Sequence, residues 1–321
     1  MRGKARRCGT LGGAAILALI CSGAGLPPPL AAPGPSPQPW GPSSTVDANP
    51  PRAGASAALL GVSQQTQART VAKALEAYAT SLKRAEARRL AAVKTWKLRR
   101  APLRAPAPPA DKPEVTSERG HLSGAGLPPV LVRVPTDEKV VFLTIDDGAE
   151  KDPDLLRMLN DLRIPWSGFL SDHVARDDYG YFREAHRQGA GVHNHSISHP
   201  ELPALSYREQ REEICEQQDI LEEEIGERPT LFRPPYGAYD RDTLRAAASC
   251  GVRAVPLWAE EAFPDRIEWG REDRKFHPGD IILTHFRGEA EWDGSMTDMV
   301  RRVLDTATRQ GFAVARLEDY L

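Results

Sequence analysis

Short apolar runs alternate with amphipathic segments through the last two thirds of the chain. Each run has four to seven residues rich in Val, Ile, Leu or Phe, which is typical of strands buried on both faces. The runs lie at residues 139–145, 166–170, 190–194, 230–233, 252–258, 280–285 and 312–315. Because strands and helices alternate, the pattern predicts an α/β fold with a parallel sheet, either open or closed into a barrel.

Capping residues mark the ends of the intervening helices. Asp152 followed by Pro153 is a typical helix start. Ser206 and Glu209 predict a capping box for a long charged helix that ends near Gly226. Two dipeptides are typical of helix ends, namely Cys250-Gly251 and Gln310-Gly311.

A separate periodic segment lies upstream, between Pro-rich stretches. Its apolar positions follow a 4-3-4 spacing and predict one stripe on a helix of about residues 57–100, formed by Val71, Leu75, Tyr78, Leu82 and Ala85. Its other faces are strongly basic, with Arg69, Lys73, Lys83, Arg84, Arg88, Arg89, Lys94, Lys97, Arg99 and Arg100. We expect this helix to associate with anionic envelope polymer or a membrane surface, outside the α/β fold. A solvated spacer helix or a coiled coil is the alternative.

Residues 1–32 predict an export signal or membrane anchor. Four basic residues at positions 2–7 precede the apolar stretch Leu11–Ile20, which is short for a transmembrane span. We therefore expect a secreted or cell-surface protein, tethered to the membrane if the signal is not cleaved. Beyond the signal, Cys215 and Cys250 are the remaining cysteines of the sequence, and export favours a disulfide between them over two buried thiols.

Composition divides the chain of 321 residues into differently charged parts. Residues 1–104 contain 16 Lys and Arg against 3 Asp and Glu, whereas residues 105–321 contain 26 against 41. This division, together with the Pro-rich linkers, predicts three regions: the signal at 1–32, linkers flanking the basic helix at 33–117, and the α/β domain at 118–321. No nucleic-acid partner is expected.

Two polar clusters follow predicted strands and suggest a metal site. Asp146 and Asp147 end the first strand, and His195 and His199 stand four residues apart after the third. One carboxylate and two imidazoles form a three-ligand set with open positions for water and substrate, as in catalytic zinc sites. Taken singly, the aspartates suit a turn or helix cap, and the histidines suit hydrogen-bonded surface residues.

Two further polar residues lie at strand ends. Arg233 precedes a Pro-stiffened turn, and His285 ends another apolar strand. Each has a structural alternative, an ion pair for Arg233 and a hydrogen-bonded histidine for His285. Because parallel strands bring their carboxyl ends to one edge, we expect one composite site for metal-assisted hydrolysis.

At these residues the chain resembles the polysaccharide deacetylase family with a NodB-type homology domain, over about residues 137–321. The matching motifs are Thr144-Ile145-Asp146-Asp147-Gly148, His195-Ser196-Ile197-Ser198-His199, Arg233-Pro234-Pro235-Tyr236 and Leu283-Thr284-His285. The resemblance implies a distorted (β/α)7-type barrel. It also implies that Asp147, His195 and His199 hold a divalent metal, most often zinc.

The resemblance assigns roles to the other motif residues. Asp146 would be the general base, and Arg233 would orient it and keep it ionised. The backbone N–H of Tyr236 would help stabilise the oxyanion, and His285 would protonate the departing amine. Trp258 would offer a ring to the sugar in the substrate groove.

The chain departs from the family pattern at two places. Ala149 replaces the usual proline after the first motif, and the fourth motif is poorly kept at residues 257–263. Trp292 and Tyr236 are further candidate groove aromatics, although packing explains them equally well. The carboxylate that tunes His285 stays open among three candidates, which are Glu260, Glu261 and Asp265.

We therefore expect a metal-dependent hydrolase that removes N-acetyl groups from amino sugars of an extracellular polysaccharide, such as peptidoglycan or another N-acetylglucosamine polymer. Four alternatives remain: a non-catalytic carbohydrate-binding relative, an O-acetyl esterase acting on acetylxylan, a hydrolase of small non-sugar amides, and a surface tether whose active part is the basic helix.

Overall fold

A mainly parallel β-sheet organises the structure, a computed structural model that describes residues 54–321, with side chains from residue 66 onward. The predicted signal and the first Pro-rich linker lie outside the described residues. Among the helices that are described, none has the length and apolar character needed to cross a membrane.

Nine strands and seven α-helices are described between residues 54 and 321. The strands are β1 (Val130–Leu131), β2 (Val140–Asp147), β3 (Ser167–Leu170), β4 (Gly191–Asn194), β5 (Val255–Pro256), β6 (Glu260–Ala262), β7 (Ile267–Trp269), β8 (Ile281–His285) and β9 (Ala313–Val314). The helices are α1 (Gly54–Thr95), α2 (Pro153–Leu162), α3 (Asp172–Ala175), α4 (Tyr179–Arg187), α5 (Tyr207–Ile225), α6 (Arg241–Ser249) and α7 (Met296–Gln310).

The main sheet has the order β4-β3-β2-β8-β6-β7, with β9 also paired to β2. All of its pairs are parallel except β6 with β7. Isolated bridges join Asn194 to Phe232 and Leu231 to Ala254, which continues the pairing from β4 towards the separate β1–β5 pair. The α/β fold with a parallel sheet is thus confirmed.

Two predicted strands are shorter than expected. The run at 230–233 forms only isolated bridges, and the run at 252–258 is a strand only at Val255–Pro256. Proline has no backbone N–H to donate to a ladder; Pro229 and Pro234 flank the first of these runs, and Pro256 lies within the second. Strands β1, β6 and β7 have no counterpart among the predicted strands.

The predicted helix boundaries agree with the structure. The Asp152 side chain accepts a hydrogen bond from the Asp154 backbone N–H, and Ser206 with Glu209 forms the capping box. Gly226 and Gly311 end α5 and α7 in left-handed conformations. Apolar faces of α2, α4 and α7 pack on the sheet, and their buried side chains share one core cluster with those of β2.

Helix α1 differs from the expectation that it lies outside the α/β fold. Residues 66–84 are exposed on every side, but Ala85, Ala92 and Leu98 are buried at the C-terminal end of the segment. The Trp96 indole donates to Asp161 Oδ2 at 3.0 Å, and Arg301 Nε donates to the Trp96 carbonyl at 3.0 Å. The expectation is therefore wrong for this end, which packs as part of the core.

The disulfide expected between Cys215 and Cys250 is confirmed. It joins α5 to the residue that caps the C-terminal end of α6, where the two Cα atoms are 5.0 Å apart. The bridge therefore holds together two helices that follow each other in the chain.

Candidate active site

The two aspartates at the end of β2 border a common space. Asp147 has a φ of 77° and Gly148 a φ of 95°, so the chain turns sharply as the strand ends. Asp146 Oδ2 lies 3.7 Å from His195 Nε2, and Asp147 Oδ1 lies 3.5 Å from the same nitrogen. Both carboxylates thus face the histidine loop that follows β4.

Asp147, His195 and His199 form a compact ligand set. Asp147 Oδ1 lies 3.4 Å from His199 Nε2, and one ligand atom from each residue falls within 4.8 Å of the others. Asp147 Oδ1 is buried and accepts no hydrogen bond from residues 66–321, which is costly for a carboxylate oxygen. A divalent cation would satisfy this oxygen, so the three residues fit a metal site of the His and Asp type.

The protonation states of the three side chains suit this interpretation. Burial lowers the pKa of His195 to about 4, so its ring is neutral at pH 7 and keeps a lone pair. Burial also lowers the pKa of His199. Burial alone would raise the pKa of Asp147, but the nearby histidines outweigh it and hold that pKa below its ordinary value.

Hydrogen bonds orient the first histidine. His195 Nδ1 lies 2.7 Å from the backbone carbonyl of Arg233, so Nδ1 carries the proton and Nε2 is left as the ligand atom. The Ser171 hydroxyl donates to the His195 carbonyl at 2.7 Å. The ring therefore has one tautomer and one orientation.

A carboxylate from α5 holds the loop between the two histidines. Glu213 Oε2 accepts the backbone N–H groups of Ile197 and Ser198 at 3.0 and 2.9 Å, and Oε1 accepts the Ser198 hydroxyl at 2.6 Å. Asn194 Oδ1 accepts the Ser196 N–H at 2.8 Å. Neither supporting residue is predicted from the sequence; Glu213 lies two residues before the disulfide cysteine of a helix rich in glutamate, where nothing distinguishes it.

Arg233 lies fully buried against Asp146. Its guanidinium donates to Asp146 Oδ1 at 2.7 Å and to the Thr144 hydroxyl at 2.9 Å. Its remaining donors reach the carbonyls of Pro256 and Leu257 at 2.7 and 3.1 Å. Burial raises the pKa of Asp146 to about 6, even though the Arg233 charge opposes the rise. The structure thus brings together the predicted base and its predicted partner.

His285 stands beside Asp146 because β2 and β8 pair in register at these two residues. Its Nδ1 lies 3.4 Å from Glu261 Oε1, and burial lowers its pKa. Of the three carboxylates left open by the sequence, Glu261 is therefore the neighbour of His285. Glu260 is buried against Arg271 instead, and Asp265 pairs with Arg266.

Two aromatic residues border the opening. The Tyr236 side chain is 68% exposed, and its ring centroid lies 4.6 Å from that of His199. Trp258 packs beside Gly237, where an added Cβ would come within 3.0 Å of the indole. In the described part of the chain, no acceptor bonds the Tyr236 backbone N–H. Trp292 instead packs edge-on against Phe263, as expected for a core-packing role.

Comparisons with known proteins agree with this geometry. A family model described as polysaccharide deacetylase matches residues 133–255. An uncharacterized protein of Streptomyces coelicolor is 42% identical over 199 residues, covering 62% of this chain and 79% of that protein. The peptidoglycan-N-acetylmuramic acid deacetylase PdaC of Bacillus subtilis is 32% identical over 200 residues, covering 58% of this chain and 40% of PdaC.

The chain belongs to the polysaccharide deacetylase family. Among solved structures, a carbohydrate esterase family 4 pseudoenzyme from Bacillus anthracis superposes with a TM-score of 0.53 and 23% identity, covering 60% of this chain and 69% of that one. This similarity supports the fold alone.

The segment matched by the family model contains the ligand set, Asp146, Arg233 and Tyr236, but it ends before Trp258 and His285. Sheet register, rather than the family match, places His285 at the site. Strain also concentrates here: of seven non-glycine residues with positive φ among the described residues, four are Asp147, Ser196, His199 and Tyr236. Such conformations are costly and cluster at functional sites.

Proposed function

We propose that this protein is a metal-dependent deacetylase that removes N-acetyl groups from amino sugars of an extracellular polysaccharide. The observation that carries the proposal is the composite site. A three-residue ligand set lies beside a buried Asp–Arg pair and beside a histidine–glutamate pair, all at one edge of the sheet. These groups match the needs of amide hydrolysis.

Asp147, His195 and His199 would hold the divalent metal, for which zinc is the proposed identity. A cation bound there supplies Lewis acidity that polarises the acetamide carbonyl and makes water a better nucleophile. Asp146 accepts a proton from the attacking water. Arg233 holds one oxygen of this carboxylate at 2.7 Å, which leaves the other oxygen facing the ligand set.

The departing amine needs a proton because an amide anion is a very poor leaving group. His285 occupies the position for this donation, with its Nδ1 3.4 Å from Glu261 Oε1. Burial lowers the pKa of His285, but the carboxylates of Asp146 and Asp147 oppose that fall and favour the protonated form. The open backbone N–H of Tyr236 would stabilise charge on the carbonyl oxygen as the tetrahedral intermediate forms. The C–N bond then breaks to release acetate and the free amine.

Peptidoglycan or another N-acetylglucosamine polymer is the proposed substrate. Three observations support it. The predicted export signal and the Cys215–Cys250 disulfide both suit a protein outside the cytoplasm. The relative PdaC is named as acting on peptidoglycan. The rings of Tyr236 and Trp258 at the opening offer surfaces on which a sugar can pack.

Acetate release tests the proposal. The purified protein is incubated with peptidoglycan, chitooligosaccharides and acetylxylan, each with and without a chelator, and then with added zinc. We expect chelator-sensitive release from the N-acetylated polymers. Release from acetylxylan alone would identify an O-acetyl esterase. Saccharide binding without any release would identify a non-catalytic relative.

We further propose that residues 66–84 of α1 contact an anionic envelope polymer or membrane surface. Every residue of this segment is exposed, and Arg69, Lys73, Lys83 and Arg84 carry its positive charge. Changing these four to Gln should reduce binding to anionic vesicles or cell walls at low salt. Unchanged binding would leave a spacer helix. A dimer in sedimentation experiments that is lost on polar substitution of Leu75 and Leu82 would indicate a coiled coil.

The finer description of the architecture is also a proposal. A distorted (β/α)7-type barrel is supported by the bridges that continue the pairing beyond β4 and by the hydrogen bond from the Ala259 N–H to the Ile281 carbonyl at 2.9 Å. The region boundaries at 32/33 and 117/118 would be tested by limited proteolysis with mass determination of the stable fragments.

A further inference from the structure

Arg287 lies at the edge of the ligand set, two residues beyond His285. One guanidinium nitrogen is 3.8 Å from Asp147 Oδ2, whereas the two histidines approach Asp147 Oδ1. The other is 3.7 Å from Glu291 Oε2, and the side chain is 42% exposed. The arginine thus borders both the ligand set and solvent.

The hydrogen-bonding capacity of this guanidinium is unused by residues 66–321. Both ion pairs exceed hydrogen-bond length, and no side-chain hydrogen bond of Arg287 is formed within this part of the chain. Arg233 is the opposite case, since its donors bond Asp146, Thr144 and two backbone carbonyls. Arg287 therefore has five N–H donors in a planar fork, the geometry that matches a carboxylate.

The local charges also favour an additional anion. Asp146 is already neutralised by Arg233, and Asp147 would be neutralised by the cation it binds. A guanidinium beside a bound dication is repelled by it unless an anion lies between or next to them. Glu291 partly meets this need, but its carboxylate is more than half exposed and makes only the long contact.

We propose that Arg287 binds a carboxylate on the substrate sugar, so that the preferred substrate is an anionic N-acetylated sugar. This inference rests on the proposed deacetylase function. N-acetylmuramic acid has this chemistry: its lactyl ether at carbon 3 adjoins the acetamide at carbon 2. An acetamide held at the ligand set therefore places the lactyl carboxylate at the rim, where Arg287 displaces Glu291 to form a two-pronged hydrogen bond.

Arg287 would thus be a specificity-determining residue. The competing explanation is that Arg287 orients Asp147 and so acts on metal affinity. The two explanations differ in what they predict for a neutral substrate. A positioning role affects every substrate equally, whereas a carboxylate receptor affects only the anionic ones.

The test compares Arg287→Gln and Arg287→Lys with wild type, and uses Arg245→Gln as the control because Arg245 is an exposed arginine, paired to Asp242, on α6. The substrates are peptide-free glycan strands with free lactyl carboxylates, the same strands with those carboxylates amidated, and neutral chitooligosaccharides. Acetate release gives KM and kcat. Calorimetry with the zinc-loaded Asp146→Asn protein, with and without Arg287→Gln, gives Kd without turnover.

We expect Arg287→Gln to weaken binding of the free-carboxylate strands by about 10- to 100-fold, seen in Kd and KM. Arg287→Lys should recover part of the loss, and Arg245→Gln should have no effect. Zinc should still be bound, and the loss on chitooligosaccharides should be much smaller than the loss on the free-carboxylate strands. Equal losses on all substrates, loss of zinc, or a wild type that treats free and amidated strands alike would overturn the inference. If acetate is released from every substrate regardless of Arg287, the inference about Arg287 is wrong and the deacetylase proposal stands. If binding depends on Arg287 but no acetate is released, only the deacetylase proposal is wrong.

Discussion

Replacing Arg233 with Met tests whether the buried arginine exists to compensate Asp146. Arg233 is fully buried, and Asp146 is 2% exposed, so the variant leaves a carboxylate without its charge partner in the interior. Breaking a buried ion pair from one side costs about 3–5 kcal/mol. In a domain of this size, that loss corresponds to a fall in Tm of about 6–20 °C. Activity should also be lost, since the base is no longer held.

A double-mutant cycle separates the charge effect from the other lost contacts. The hydrogen bonds from Arg233 to Thr144, Pro256 and Leu257 disappear in both backgrounds, so they cancel in the cycle. With Asp146→Asn already present, no charge is stranded, and Arg233→Met should cost about 1–2 kcal/mol, which gives a coupling of about 2–3 kcal/mol.

Urea unfolding followed by circular dichroism, with chelator present, measures this coupling at pH 7.5. The pKa of Asp146 is about 6, so the carboxylate is ionised at this pH. At pH 5 the group is largely protonated, and the coupling should shrink. A coupling near zero at pH 7.5, or an equal cost of Arg233→Met in both backgrounds, would refute the reasoning.

Three further predictions follow from separate parts of the structure. Asp147→Ala should abolish zinc binding and activity, whereas Asp146→Asn should abolish activity and retain zinc; metal analysis decides, and equal metal loss would contradict the division of roles. Replacing Cys215 and Cys250 with Ala should lower stability by about 4 kcal/mol, because a separation of 35 residues is closed by the bridge; urea unfolding measures it, and an unchanged midpoint would contradict it. Burial raises the pKa of Glu260 to about 9, so the folded state keeps a proton that the unfolded state loses, and stability should fall as pH rises from about 4.5 to 9. Glu260→Gln should flatten that decline in thermal unfolding, and an unchanged slope would show another group to be responsible.

The site residues that the sequence predicted most directly are those that end an apolar run. Apolar runs ending in Asp146, Asp147 and His285 predicted both the strands and their shared edge, and β2–β8 register bears this out. The supporting residues could not be predicted, because their partners are set by tertiary packing. Glu213 looks like any other glutamate of α5 until its contacts with the histidine loop are known.

Strand β6 escaped prediction for a different reason. Its sequence, Glu260-Glu261-Ala262, lacks the apolar alternation typical of a strand, yet it pairs with β8 and is largely buried. Burial raises the pKa of Glu260 to about 9, so this side chain keeps its proton, and it accepts a hydrogen bond from Arg271 at 3.1 Å; Arg271 also bonds Asp280. A buried acidic side chain is tolerated through the loss of its charge and through a hydrogen-bond partner from a later loop, and neither leaves a local signal in the sequence.

Helix α5 links the disulfide to the ligand set. Glu213 fixes the backbone between the two histidines, and one turn further on Gln217 donates to the Leu170 carbonyl at 2.8 Å. The adjacent Gln218 accepts from Asn194, the residue that orients the start of the same loop. Cys215 lies between these contacts and ties the helix to α6. Because His199 has a strained φ of 60°, its position depends on such external support, so the bridge contributes to the precision of the site as well as to the stability of the fold.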